Sequence, residues 1–167
     1  MATGVRCLGQ TKARDLIELR LLVELRALRR LADRGIRDQE LAVMRELANA
    51  TMRSAFSSDI PGYLQADMNF HLNLLELTGD RALLEVARVL LAPNPGLVPC
   101  AEECCPVPAA GARDHSQLVT MLTDDMMSAA DDLLRQHVSR LSACHCALAG
   151  PLIEIHSLSG NMQWPIA

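Results

Sequence analysis

The chain has 167 residues, half of them hydrophobic but only 2% aromatic, and a formal net charge of -4. That length suits one domain with a sizeable core. A core filled by Leu, Ala and Met fits packed helices better than a β-sandwich, and no run of about 18 uncharged apolar residues is present to span a membrane.

The first fourteen residues, MATGVRCLGQTKAR, are polar and too short for a domain, and they hold no signal-peptide core. A cytoplasmic protein is therefore expected. Asp15 is expected to open a long helix, DLIELRLLVELRALRRLADRG, with Leu16, Leu19, Val23, Ala27 and Leu31 on its apolar stripe and Gly35 ending it. Asp38 is expected to cap a second helix through the segment DQELAVMRELANATMRSAFS. Asp59 caps a third, with Pro61 in its first turn, which runs to Thr78 and stops at Gly79. Asp80 starts a fourth, RALLEVARVLLA, which Pro93, Pro95 and Pro99 break. Residues 92–112 then read as an irregular loop. A fifth helix covers roughly 113–123 and a sixth about 127–146, where Met127, Ala130, Leu134, Leu141 and Cys144 lie near one stripe. The fold class is all-α: an antiparallel six-helix bundle with a disrupted fourth helix. Residues 15–146 form the domain, and 147–167 are a tail.

Charge is uneven, with eleven of the sixteen basic residues before position 54. Arg20, Arg26, Arg29, Arg30 and Arg34 spread around one helix, which reads as a solvated or partner-facing surface rather than the concentrated patch of a nucleic-acid site. Of the six cysteines, Cys100, Cys104 and Cys105 share a Pro-rich stretch and Cys144 and Cys146 flank His145. Their spacings are not those of a zinc ribbon, so free thiols are expected.

Four polar residues stand out against the apolar pattern. Leu64, Asp67, His71, Leu74 and Thr78 follow one helix face, which puts a carboxylate and an imidazole on a buried stripe. A buried carboxylate costs several kcal/mol unless it is paired or bound to a metal. His137 is in line with Ala130, Leu134 and Leu141, so it too faces inward. Folding the chain into a hairpin about residue 126 brings His115 level with His137. Asp67, His71, His115 and His137 are therefore candidate ligands of a divalent metal such as Zn²⁺, Ni²⁺ or Mn²⁺. The bland alternative is a set of satisfied core histidines. Arg20 borders the stripe of the first helix and could grip a carboxylate, or it could simply pair with Glu24 one turn on. His145 and His156 match no such pattern.

The words D-L-I-E-L-R-x-L-V-E at 15–24, A-D-M-N-F-H-L-N-L-L-E-L-T-G-D at 66–80 and the pair His115 and His137 resemble the FCD domain. That is the C-terminal effector-binding domain of FadR-subfamily GntR transcription regulators. The resemblance implies a six-helix bundle holding a divalent metal on Asp67, His71, His115 and His137. It also implies a small organic acid as effector, gripped by Arg20, and a homodimer that controls DNA binding. The family's winged helix-turn-helix would precede this domain; here residues 1–14 look like the remnant of its wing and linker, so DNA contact through this segment is not expected. The family's fourth helix continues where this chain has APNPGLVPCAEECCPVPAAGA, which is expected to remove pocket wall and dimer surface. A metal-dependent bundle enzyme is the weaker reading, because neither H-E-x-x-H nor E-x-x-H occurs. A headless chain that only pairs with an intact relative is a further alternative.

Overall fold

A computed structural model describes residues 10–91, 108–124 and 126–147, and side chains from Asp15 to Arg140 within them. Six helices follow one another: α1 (Gln10–Arg34), α2 (Asp38–Phe56), α3 (Ile60–Glu76), α4 (Arg81–Leu91), α5 (Pro108–Thr123) and α6 (Met127–Ala147). No strand occurs among the described residues. The short connections from α1 through α4 and from α5 to α6 favour antiparallel packing of those neighbours. α2 lies against α3 and α5, α1 against α6, α4 and α3, and α5 against α6. No described helix is long and apolar enough to cross a membrane.

The punctuation largely follows local chemistry. Gly35 and Gly79 both adopt positive φ, +77° and +71°, where a Cβ would be strained. Asp59 caps α3 by accepting from Gly62 N–H at 3.0 Å, with Pro61 inside the first turn. Asp80 caps α4, accepting from Ala82 and Leu83 N–H at 3.1 Å each.

Several helix ends differ from the expected ones. α1 starts at Gln10 rather than Asp15. The cap of α2 is Arg37, not Asp38. Glu40 reaches back to accept the Arg37 backbone N–H at 3.0 Å and pairs with Arg34 and Arg37, and this outcompetes a cap by Asp38. α3 ends at Glu76, two residues before Thr78. α5 begins at Pro108, so 108–112 are helix rather than loop. Pro108 suits a first turn because its missing N–H needs no partner there. Gly111 and Ala112 then bury against the bundle. The rest of the expected loop, 92–107, lies outside the described residues, as do residues 1–9, the tail from 148 on and the side chains of all six cysteines, Leu141, His145 and His156.

The core is Leu-rich, as the composition implies. Ala27, Leu28 and Leu31 from α1, Met44 from α2, Phe70, Leu74 and Leu75 from α3, Leu118 from α5 and Leu134 from α6 are fully buried. Of the expected apolar stripe of α1, Val23, Ala27 and Leu31 are buried, but its first two members are not. Leu16 and Leu19 are more than two-fifths exposed, while Glu24 is buried. The inward face of the helix therefore runs through Arg20, Glu24, Ala27, Leu28 and Leu31. Likewise Leu64 is exposed on α3, and Tyr63 takes the inward place at 2%.

Candidate metal and effector site

Polar groups converge where α3, α5 and α6 meet beneath α1. Asp67 and His71 are one turn apart on α3, and both are buried. His115 from α5 and His137 from α6 are buried with them, their ring centroids 4.6 Å apart, so the hairpin does bring them level. One donor atom from each of Asp67, His71, His115 and His137 falls within 4.8 Å of all the others.

The orientation of these donors is informative. Nε2 of His71 lies 3.0 Å from Nε2 of His137 and 3.2 Å from Nε2 of His115. Asp67 Oδ1 sits 3.3, 3.5 and 3.7 Å from Nε2 of His115, His137 and His71, and it is buried without a hydrogen bond. Four potential donor atoms thus face one small interior space, and with neutral imidazoles all four can offer lone pairs to it. A divalent cation would satisfy all four, so the residues fit such a group.

Each ring also has a partner on its other nitrogen. His115 Nδ1 is 3.1 Å from Thr51 Oγ1, and His137 Nδ1 is 3.1 Å from Asp114 Oδ2. His71 Nδ1 is 2.8 Å from Glu24 Oε2, an ion-pair contact that lies off the ideal hydrogen-bond line. With the proton on Nδ1, each Nε2 presents a lone pair inward. Phe70 tilts over His115 at 4.3 Å and meets His71 edge-on at 5.5 Å, which limits ring rotation.

Arg20 makes the helical pair with Glu24 that the sequence offers and keeps a second nitrogen near the ring. Its Nε donates to Glu24 Oε1 at 2.6 Å, the simple i,i+4 pair. Its Nη2 points the other way, 3.8 Å from Asp67 Oδ2, and is buried without a hydrogen bond. Sequence reasoning missed Thr51 and Asp114 and treated Glu24 only as the helical partner of Arg20 one turn on. Asp114 precedes His115 in sequence, and Glu24 lies on the same face as Arg20 and Ala27; those were the available signals. Thr51 gave none.

Electrostatics follow from these contacts. Burial opposes the charge on Glu24, but Arg20 and His71 prevail and hold its carboxyl down at about 2. Burial likewise works against Asp67, yet the surrounding histidines keep it well below the usual carboxylate range. Burial would also discharge His71, but Glu24 and Asp67 raise it to about 9 against the opposing Arg20. His115 has only Asp67 to offset its burial and drops to about 4. Asp114 lies below its ordinary value despite burial, held by His137 and Arg140.

No curated protein matches the chain. Solved structures that resemble it in fold include two bacterial proteins. One, from Listeria monocytogenes, is Lar, described as controlling expression of the agr system and mediating virulence. It is 14% identical with a TM-score of 0.70, over 85% of this chain. The other is E. coli McbR/YncC, 17% identical with a TM-score of 0.71 over 84% of this chain. The chain spans 66% of the length of each. Residues 15–140 match the FCD domain family. The chain therefore belongs to the FCD family of effector-binding regulatory domains, and its buried acid-and-histidine ring lies at the centre of that domain.

Proposed function

We propose that the chain binds a divalent cation through Asp67, His71, His115 and His137 and, beside it, a small organic acid that Arg20 grips. The observation that carries this reading is the convergence of three Nε2 atoms and one unbonded carboxylate oxygen, each ring anchored from behind. The cation supplies a fixed positive charge that a carboxylate can coordinate or approach. Zn²⁺, Ni²⁺ and Mn²⁺ all suit this nitrogen and oxygen set, and with four protein ligands an effector oxygen requires five or six coordination.

Arg20 is placed to select anions. Glu24 holds its Nε, which leaves Nη2 beside Asp67 and directed at the ring. An acid bound there would contact α1 through Arg20, and α3, α5 and α6 through the ring. Its binding would favour one packing of these helices over another, and that difference is what a regulator transmits. In the regulator, a homodimer would pass this change to DNA-reading segments outside residues 15–140. The reading is not enzymatic. Among the described residues, Glu24 and Asp114, the nearby carboxylates besides Asp67, are both occupied in holding imidazoles and arginines.

Metal content per chain after dialysis, measured on wild type, His71→Ala and Arg20→Ala, tests the assignment. One equivalent is expected in wild type and in Arg20→Ala, and none in His71→Ala. Acid binding should fall in Arg20→Ala. Equal metal content in wild type and His71→Ala would overturn the reading.

A further inference from the structure

Glu24 is a buried acid that is not one of the four candidate ligands. It is 1% exposed and lies between Arg20, at 2.6 Å, and His71, at 2.8 Å. Its counterpart on the other side, Asp114, also sits between an arginine and a histidine, pairing with Arg140 and His137. There the similarity ends. Arg140 is about one-third exposed at the edge of the bundle, and its charge cancels that of Asp114. Arg20 is inside, and it turns its remaining nitrogen toward the ring.

The charge of the interior can therefore be counted. Glu24 and Asp67 are carboxylates, Arg20 is a guanidinium, and histidines that ligate a cation are neutral. With a divalent cation in place, one unit of positive charge is left over. Among the described residues, Arg20 is the one arginine within ion-pair reach of Asp67, so no second cation is at hand for a second acid group. Without Glu24 the same interior would carry two units.

We propose that Glu24 is a specificity-determining residue: it sets the cation-loaded site at a single positive charge and thereby selects a singly charged carboxylate over a doubly charged one. This rests on the cation-binding reading above. A monocarboxylate neutralises the interior. A dicarboxylate brings an uncompensated negative charge beside Glu24 and Asp67, and buried like charges repel strongly. Glu24 thus acts as the repulsive element that specificity needs, while Arg20 supplies the attraction. It also positions, because losing its carboxylate frees both Arg20 Nε and the His71 ring.

Succinate and its monomethyl ester test this, since they share a skeleton and differ by one charge. Both are titrated calorimetrically at pH 7.5 into Zn²⁺-loaded wild type, Glu24→Gln and Glu24→Asp. The monoester is expected to bind wild type on the order of tenfold more tightly than succinate. Glu24→Gln should narrow or invert that ratio, and Glu24→Asp, which keeps the charge, should retain it. Equal or tighter binding of succinate by wild type overturns the proposal, as does failure of both acids to bind. So does an unchanged ratio in a Glu24→Gln protein that has folded and loaded. If Glu24→Gln does not load, the wild-type ratio decides. Failure of the underlying reading shows separately, as wild type that takes up no Zn²⁺ before any acid is added.

Discussion

Loading the ring with a cation should expel a proton, and the number can be worked out in advance. His71 is raised to about 9, chiefly because Glu24 and Asp67 overcome its burial. The proton on His71 therefore stabilises the cation-free fold fully below its unfolded value of ~6.5, and that contribution is lost as pH rises through about 9. At pH 7.5 the His71 imidazole is almost wholly protonated without a cation. His115 drops to about 4, so it is already neutral at that pH. Since a ligating imidazole must be neutral, His71 has to release its proton: close to one per cation. Calorimetric titration of Zn²⁺ in buffers of different ionisation enthalpy measures this as a slope. The expected slope is about one at pH 7.5, with affinity rising ~10-fold per pH unit from about 6.5 until it levels near 9. In Glu24→Gln the leading cause of the raised value is gone, so the release at pH 7.5 should shrink. A slope near zero in wild type, with affinity flat from pH 6.5 to 9, would refute the reasoning.

Two further tests concern the scaffold. A Cβ on Gly111 would fall 2.3 Å from Tyr63 Oη, so Gly111→Ala should lower the melting temperature although alanine favours helix by ~1 kcal/mol. Adding Tyr63→Phe removes that oxygen and should recover part of the loss; a Gly111→Ala protein as stable as wild type would mean that the Tyr63 side chain moves aside at little cost. Glu40 is held at about 2 by hydrogen bonds from the Arg37 side chain and backbone and from Arg34. Its stabilisation is complete above the unfolded carboxylate value and is lost as pH falls through about 2. Glu40→Gln should therefore flatten the acid limb of a melting-temperature profile while lowering its neutral plateau. An identical acid limb in both proteins would contradict this.

The bundle was legible because its signals are local. Glycines at positive φ, the acids at Asp59 and Asp80 and Pro61 mark the ends of helices whatever packs against them. The ring was legible because its four members repeat at helical or hairpin spacing, and polar residues on an apolar stripe need a reason. What stayed hidden depends on neighbours far along the chain. Thr51 shows its role only when α2 lies against α5, 64 residues on. Glu24 reads as an ordinary helical salt bridge until α3 brings His71 to its other oxygen. The start of α5 at Pro108 was missed because a Pro- and Ala-rich stretch looks like loop. Gly111 makes sense in a helix only once Tyr63 is seen above it. Leu16 and Leu19 misled in the other direction, since periodicity counts apolar residues and cannot tell which of two faces α3 and α6 will cover.

The most direct measurement is thermal melting of wild type and His137→Ala after chelator treatment, then with Zn²⁺, Ni²⁺ or Mn²⁺ restored. A ligand at a hundredfold excess over its Kd stabilises the native state by ~2.7 kcal/mol, which for a domain of this size is a rise of about 8 °C. Wild type should show that rise with at least one of the three cations, and His137→Ala should not. An equal rise in both proteins, or none in wild type, would contradict a cation held by Asp67, His71, His115 and His137.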